Sequence, residues 1–228
     1  MKSEGREKAR SGRRKLSADQ DGAARAQVTR ANIIDVATKE FVAHGFDGAS
    51  VNEIAKASDT SKRMIYYHFA CKQELYTAVL EAAYARVGRA VVTSELPQRD
   101  QSAMEALRSY ACEAFEKFNA NEDFVRLIMA ENLARGSTIQ KSDIVRQRSR
   151  TNLSALEAIC RRGVEEGSMR SDFRTVDLYF AIVGVAFHAV SNRTSTEISL
   201  GMDLGSEAEL AYRRRLVGDM ACRYVCKI

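Results

Sequence analysis

The sequence predicts an all-α fold, and two observations carry that expectation. There is one proline in 228 residues and no tryptophan, while Ala, Glu, Arg and Leu are plentiful. Ala and the straight-chain residues are good helix formers, and proline breaks helices. Apolar residues also recur three and four apart in segment after segment, which is the spacing of one helix face. The chain is long enough for one large or two modest domains with a real core. Its net charge of +5 is unevenly spread. Residues 1–72 hold 14 Lys and Arg against 9 Asp and Glu, whereas residues 73–228 hold 21 of each.

Residues 1–22 are polar and rich in Lys, Arg, Ser and Gly, and disorder in free solution is expected of them. Lys2, Arg6, Lys8, Arg10, Arg13, Arg14 and Lys15 make this a basic arm. It either touches nucleic-acid phosphates or the minor groove, or forms a solvated tail. The first firm helix is expected over about 24–43, where Ile33, Ala37 and Phe41 recur every four residues with Ile34 beside them. Gly45 is its stop.

Residues 50–69 read as two short helices around a sharp turn. Ser50 and Glu53 have the spacing of a capping box, in which Ser50 accepts from a free amide and Glu53 reaches back. Val51, Ile54 and Ala55 mark the apolar face. Ser58, Asp59 and Thr60 are turn residues, since Asp tolerates a left-handed backbone and Ser and Thr cap helices. A second helix follows over about 61–69, with Ile65 and Phe69 facing inward. Its front offers Ser61, Lys62, Arg63, Tyr66, Tyr67 and His68. An apolar back with a donor-rich front is what a recognition helix in the DNA major groove requires. The excess positive charge lies in the same part of the chain, where phosphate attraction needs it.

A longer helix is expected over about 71–93, with Glu74 in its first turn, where the helix dipole favours an acid. Pro97, in the polar stretch 95–100, ends that element. Five more helices are expected, over about 101–119, 122–135, 142–166, 175–193 and 206–226. Gly136 and Gly167 close the second and third. Leu178–Val190 is apolar on nearly every side, and a helix apolar all round is buried all round. The simplest cover for its extra face is a second copy of the chain. Leu210, Val217, Ala221, Tyr224 and Ile228 form a stripe on the last helix, so these two helices are expected to build a four-helix dimer interface. The polar link 193–206 is expected to be mobile.

The stretch 28–76 resembles the DNA-binding domain of TetR-family transcriptional regulators. The resemblance rests on Gly45, Phe46, Ala49, Ser50, Val51, Ile54 and Ala55, and then on Ser61, Ile65, Tyr66, His68, Phe69, Lys72 and Leu75. They agree with the family pattern in order and without a gap. One departure is Asp59, where the family usually has Gly. The resemblance implies a TetR-like architecture: a basic arm at 1–22, a helix-turn-helix domain at 23–72, and an effector-binding and dimerisation domain at 73–228. It implies that the helix starting near Lys72 is the lever between the two domains. It also implies a homodimer on double-stranded DNA with a palindromic operator, usually a repressor released by a small molecule. By the motif match, Ser61, Lys62 and Arg63 read base edges, and Asn52 reaches a base or phosphate. Ser50, Tyr66, His68 and Lys72 position phosphates, and Tyr67 packs on the backbone or a base methyl.

The family also implies an effector pocket within the C-terminal helices. Glu131, Asn132, Arg135, His188, Ser191 and Asn192 are polar within otherwise apolar helices. Each is either a pocket residue or a capping or interface hydrogen bond. Phe124, Met129, Tyr179 and Phe187 either line an apolar cavity or are plain core. No cofactor is expected. Neither a nucleophile elbow, a phosphate-cradling Gly loop nor a metal spacing is present, which argues against an enzyme. The five scattered cysteines suit a reducing cytoplasm. Cys222 and Cys226, four apart, are read as small core residues, with a redox pair as the alternative. No signal peptide is apparent. The longest apolar run, 178–190, falls short of the roughly 20 residues a bilayer needs. The competing reading is a helical interaction or small-molecule-binding module without specific DNA readout.

Overall fold

The computed structural model describes the backbone of residues 4–93 and 101–227, and the side chains of residues 22–88 and 101–227. Pro97 and Ile228 therefore lie outside the described residues, as do the side chains of the basic arm. Every regular element among the described residues is helical, and the chain divides into two compact units, Met1–Val79 and Leu80–Ile228. The division falls within one helix, beyond the boundary at 72 drawn from sequence. Leu75, Tyr76 and Val79 are buried, and the Tyr76 ring meets Phe41 and Phe46 of the first unit at 4.8 and 5.2 Å.

The first unit holds α1 (Glu4–Gly48), α2 (Val51–Ala57), α3 (Lys62–His68) and the start of α4 (Lys72–Thr93). The α1 backbone is helical from Glu4, across residues where the sequence led to an expectation of disorder. Arg, Lys, Ala and Glu there are helix-competent without any apolar face, so a helix nucleated further on continues through them. Gly45 (φ 69°) breaks α1 where a stop was expected; this left-handed conformation carries little penalty only for glycine. Ile33, Ile34, Ala37 and Phe41 of α1 are buried with Val51, Ile54 and Ala55 of α2 and with Ile65 and Phe69 at α3.

The second unit is built on α5 (Ala103–Ala120), which packs against α7 (Asp143–Glu165), α8 (Thr175–Ser191) and α10 (Glu207–Val225). Alanines 103, 106, 111 and 114 on the buried side of α5 let its neighbours approach closely. The approach is close at Gly218 of α10: a Cβ there would sit 2.9 Å from Cys112 Sγ and 3.2 Å from Arg108 Cγ. Ion pairs Arg108–Asp219 and Arg214–Glu116 flank this crossing. A full capping box starts α5, with Ser102 and Glu105 exchanging hydrogen bonds. Then α6 (Glu122–Leu133) and a short 3₁₀ turn (Ile139–Lys141) lead to α7.

One expectation is corrected. The link 193–206 contains a helix, α9 (Arg193–Leu200), bent 71° from α8 and ended by Gly201 at φ 65°. It is anchored by Arg193, which donates to Asn119 Oδ1 at 3.0 Å and pairs with Glu122 at 3.5 Å. Within one chain, α8 keeps one open face. Leu178, Ile182, Ala186, Ala189 and Val190 are buried, but Phe180 is 65% exposed. No single helix among the described residues is long and apolar enough to cross a membrane.

Candidate nucleic-acid interface

The start of α2 differs from the expected capping box. Ser50 Oγ accepts from the Glu53 N–H at 3.4 Å, but the Ser50 N–H donates to Glu40 Oε1 of α1 at 2.9 Å. Glu53 is exposed instead of reaching back. Packing of α1 on α2 brings Glu40 to the free amide first. No local pattern signals this partner, because it lies ten residues upstream.

The turn between α2 and α3 is closed as its residues require. Asp59 takes the left-handed conformation at φ 50°. The N–H groups of Ser58 and Thr60 donate to Ile54 O and Ala55 O, each at 2.9 Å. The buried Ser58 hydroxyl donates to Ile54 O at 2.6 Å, and Asn32 Nδ2 of α1 donates to Ser58 O at 3.0 Å. Asn32 was not singled out from sequence. Arg30, also on α1, lays its guanidinium 4.9 Å from the Phe69 ring centroid, so the end of α3 is held from the same helix.

Ser61 caps α3, its Oγ accepting from Met64 N–H at 3.2 Å. Ile65 and Phe69 are almost fully buried, which orients the helix. Lys62, Arg63, Tyr66 and Tyr67 are exposed, Tyr67 by 77%. Asn52 is exposed on α2, and Ser50 is half-buried. Two residues are less free than their expected phosphate role requires. Lys72 Nζ donates to Asp47 O at 3.2 Å and lies 5.0 Å from the Phe46 ring centroid. His68 is half-buried, with Nε2 enclosed and lacking a hydrogen-bond partner among the described residues.

A two-helix reader, α2 and α3, supported by α1 and followed along the chain by an α-helical second unit is the architecture that comparison with known proteins identifies. Residues 33–79 match the family description "Bacterial regulatory proteins, tetR family", and residues 103–221 match "Tetracyclin repressor-like, C-terminal domain". The chain belongs to the TetR family. The HTH-type transcriptional repressor NicS of Pseudomonas putida is 30% identical over 201 residues, covering 88% of this chain and 94% of that protein. A TetR-family regulatory protein from Rhodococcus superposes with a TM-score of 0.68 at 20% identity, over 88% of this chain and 98% of that one. FadR of Bacillus subtilis, solved in complex with stearoyl-CoA, superposes with a TM-score of 0.59 at 16% identity, over 82% and 96%. Proteins of the TetR family are DNA-binding transcriptional regulators and not enzymes, and the relatives that carry names here are regulators.

In the second unit of this TetR-family chain, the residues singled out for an effector separate into four groups. Phe124 and Phe187 are brought together through Phe118, whose ring lies 5.8 and 6.2 Å from theirs, and Tyr84 meets Phe124 edge-on at 5.1 Å. Glu131 is 2% exposed and accepts from the N–H groups of Thr138 and Ile139, each at 3.1 Å. It closes the loop after α6. Met129, Asn132, Arg135 and His188 are exposed, and Arg135 is left-handed at φ 56°. Ser191 and Asn192 finish α8, with Asn192 Nδ2 donating to Ser191 Oγ at 3.1 Å. Of the two late cysteines, Cys222 is buried and Cys226 exposed.

Proposed function

We propose that the protein is a ligand-released repressor that binds a palindromic operator as a homodimer in the cytoplasm. The reading rests above all on α3: an exposed row of Lys62, Arg63, Tyr66 and Tyr67 on a helix whose back is locked by Ile65 and Phe69. In this reading Ser61, Lys62 and Arg63 meet base edges, with Arg63 suited to a bidentate guanine contact. Ser50, Tyr66, His68 and Lys72 hold the phosphates, Asn52 reaches a base or phosphate, and Tyr67 packs on the backbone or a base methyl. For His68 and Lys72 fewer donors are free, since His68 Nε2 is enclosed and one Lys72 N–H is given to Asp47 O.

The dimer forms through α8 and α10. Phe180, Tyr212 and Leu216 are large apolar side chains left 65%, 53% and 40% exposed on these helices, and a symmetric partner covers such faces at the lowest cost. Two recognition helices then fall on half-sites about one helical turn apart or a little more. The effector binds inside the second unit. That a distant structural relative was solved with stearoyl-CoA supports a small-molecule site without naming its ligand here.

Selection of random duplex DNA by the purified protein at moderate salt tests the whole reading. A palindromic consensus is expected. Uniform recovery of all sequences by protein refolded free of ligand overturns it, in favour of a helical interaction module.

A further inference from the structure

α3 is seven residues long, too short to hold its own place, because helix nucleation is unfavourable. Its buried back has two anchors, Ile65 at 1% and Phe69 at 3% exposure. Apolar contact is non-directional. These anchors choose which face of α3 is buried, and directional contacts have to set how the helix lies on it.

The directional contacts come from α1. Asn32 Nδ2 donates to Ser58 O at 3.0 Å. Ser58 is 5% exposed, and its own N–H and hydroxyl both return to Ile54 O, at 2.9 and 2.6 Å. The Ser58 carbonyl is therefore part of the end of α2, and Asn32 ties that end to α1. Ser61 follows the turn and caps α3, so the tie stands beside the first residues of the reading face. At the other end of α3, the Arg30 guanidinium lies 4.9 Å from the Phe69 ring centroid. Asn32 itself is exposed, and alanine is the better helix former. The stability of α1 gives no reason for an amide at this position, whereas the Ser58 carbonyl does.

We propose that Asn32 is a positioning residue for operator reading: its bond to Ser58 O sets the turn against α1, and through it the placement of Ser61, Lys62 and Arg63 on base edges. This rests on the DNA-binding reading above. Hydrogen bonds to base edges are short and directional, and small displacements weaken them. Phosphate attraction is long-ranged and independent of sequence. Loss of the tie therefore falls on sequence discrimination and spares general DNA affinity.

Asn32→Ala removes the donor, keeps the net charge and favours the helix. Fluorescence anisotropy of the full-length protein compares two duplexes of equal length, one carrying the palindrome recovered by the selection above and one with its bases shuffled. The variant is expected to bind the palindrome about fivefold or more weakly, with shuffled-duplex affinity, salt slope and Tm as in the wild type. Single-base substitutions in the half-site are expected to show reduced discrimination at every base that α3 meets. Unchanged palindrome affinity overturns the proposal. So does an equal loss on both duplexes, which marks a role in stability alone, and so does a loss confined to one base, which marks Asn32 as itself a base contact. Wild-type protein that binds both duplexes alike overturns the proposed function itself, and the role of Asn32 with it, before any variant is compared.

Discussion

Glu131→Ala is expected to destabilise the second unit severely, although Glu131 was singled out from sequence as a pocket candidate. Its Oε2 is the acceptor for the N–H groups of Thr138 and Ile139, each at 3.1 Å, in a site where Glu131 is 2% and Thr138 3% exposed. A hydrogen bond to a charged acceptor contributes about 1.5–3 kcal/mol, and truncation also strands both amides away from water. The summed loss is about 3–5 kcal/mol. A unit of this size shifts its Tm by about 2–4 °C per kcal/mol, so a drop of about 6–20 °C is expected. Glu131→Gln keeps an acceptor oxygen at the same reach and should cost about 1–2 kcal/mol. Thermal unfolding followed by circular dichroism, at one fixed protein concentration because dimerisation raises apparent stability, measures both. An alanine variant within about 2 °C of wild type would refute the loop-closing role. A glutamine variant of near-normal stability that no longer responds to effector would restore Glu131 to the pocket.

Four further outcomes are expected. Arg63→Ala should weaken operator binding by about 5- to 150-fold, the worth of one bidentate base contact, with thermal stability unchanged; unaltered affinity in a gel-shift titration would remove Arg63 from the reading face. Lys72→Ala should lower the salt slope of binding to every DNA sequence by about one unit; a loss confined to one operator base would show that Lys72 reads sequence. Gly218→Ala should cost about 1–3 kcal/mol by overpacking the α5–α10 crossing, and Cys112→Ala in the same chain should recover much of it, since Cys112 Sγ is the nearest atom; a double variant no more stable than the single would place the strain elsewhere. Burial raises the thiol pKa of Cys112, Cys160 and Cys222, Cys160 to about 11. Thiolate is the reactive form, so at pH 8 a thiol reagent should modify exposed Cys71 and Cys226 first, and the Cys160 rate should climb until pH passes about 11; equal rates at pH 8 would contradict the burial.

Much of the fold was legible because the signals were local. Gly45 and Gly167 end helices in positive φ, and Asp59 takes the left-handed turn, each at a place where residue type alone demands it. Buried stripes such as Ile33, Ala37 and Phe41 follow from periodicity. What was not legible depended on partners distant in sequence. Glu40 displaced Glu53 at the α2 start because α1 happens to deliver a carboxylate there. The link 193–206 reads as polar and mobile, yet Arg193 finds Asn119 and Glu122 across the unit and α9 forms. The polar residues on α6 and α8 could not be sorted by type, since Glu131 faces inward and His188 outward only once helix rotation is set by packing.

The carboxylate of Glu40 that receives the Ser50 N–H has one more consequence. α2 is seven residues long, too short to persist by itself, because helix nucleation is unfavourable. Its first amide is clamped to α1 across the break at Gly45, so α2 has no private route to opening. Its amide protons should exchange with solvent together with those of the second half of α1, as one cooperative block. A reader built this way behaves as a rigid stencil. In the proposed function, a signal would have to lift the stencil off the DNA whole, because melting the reading edge would mean unfolding its support.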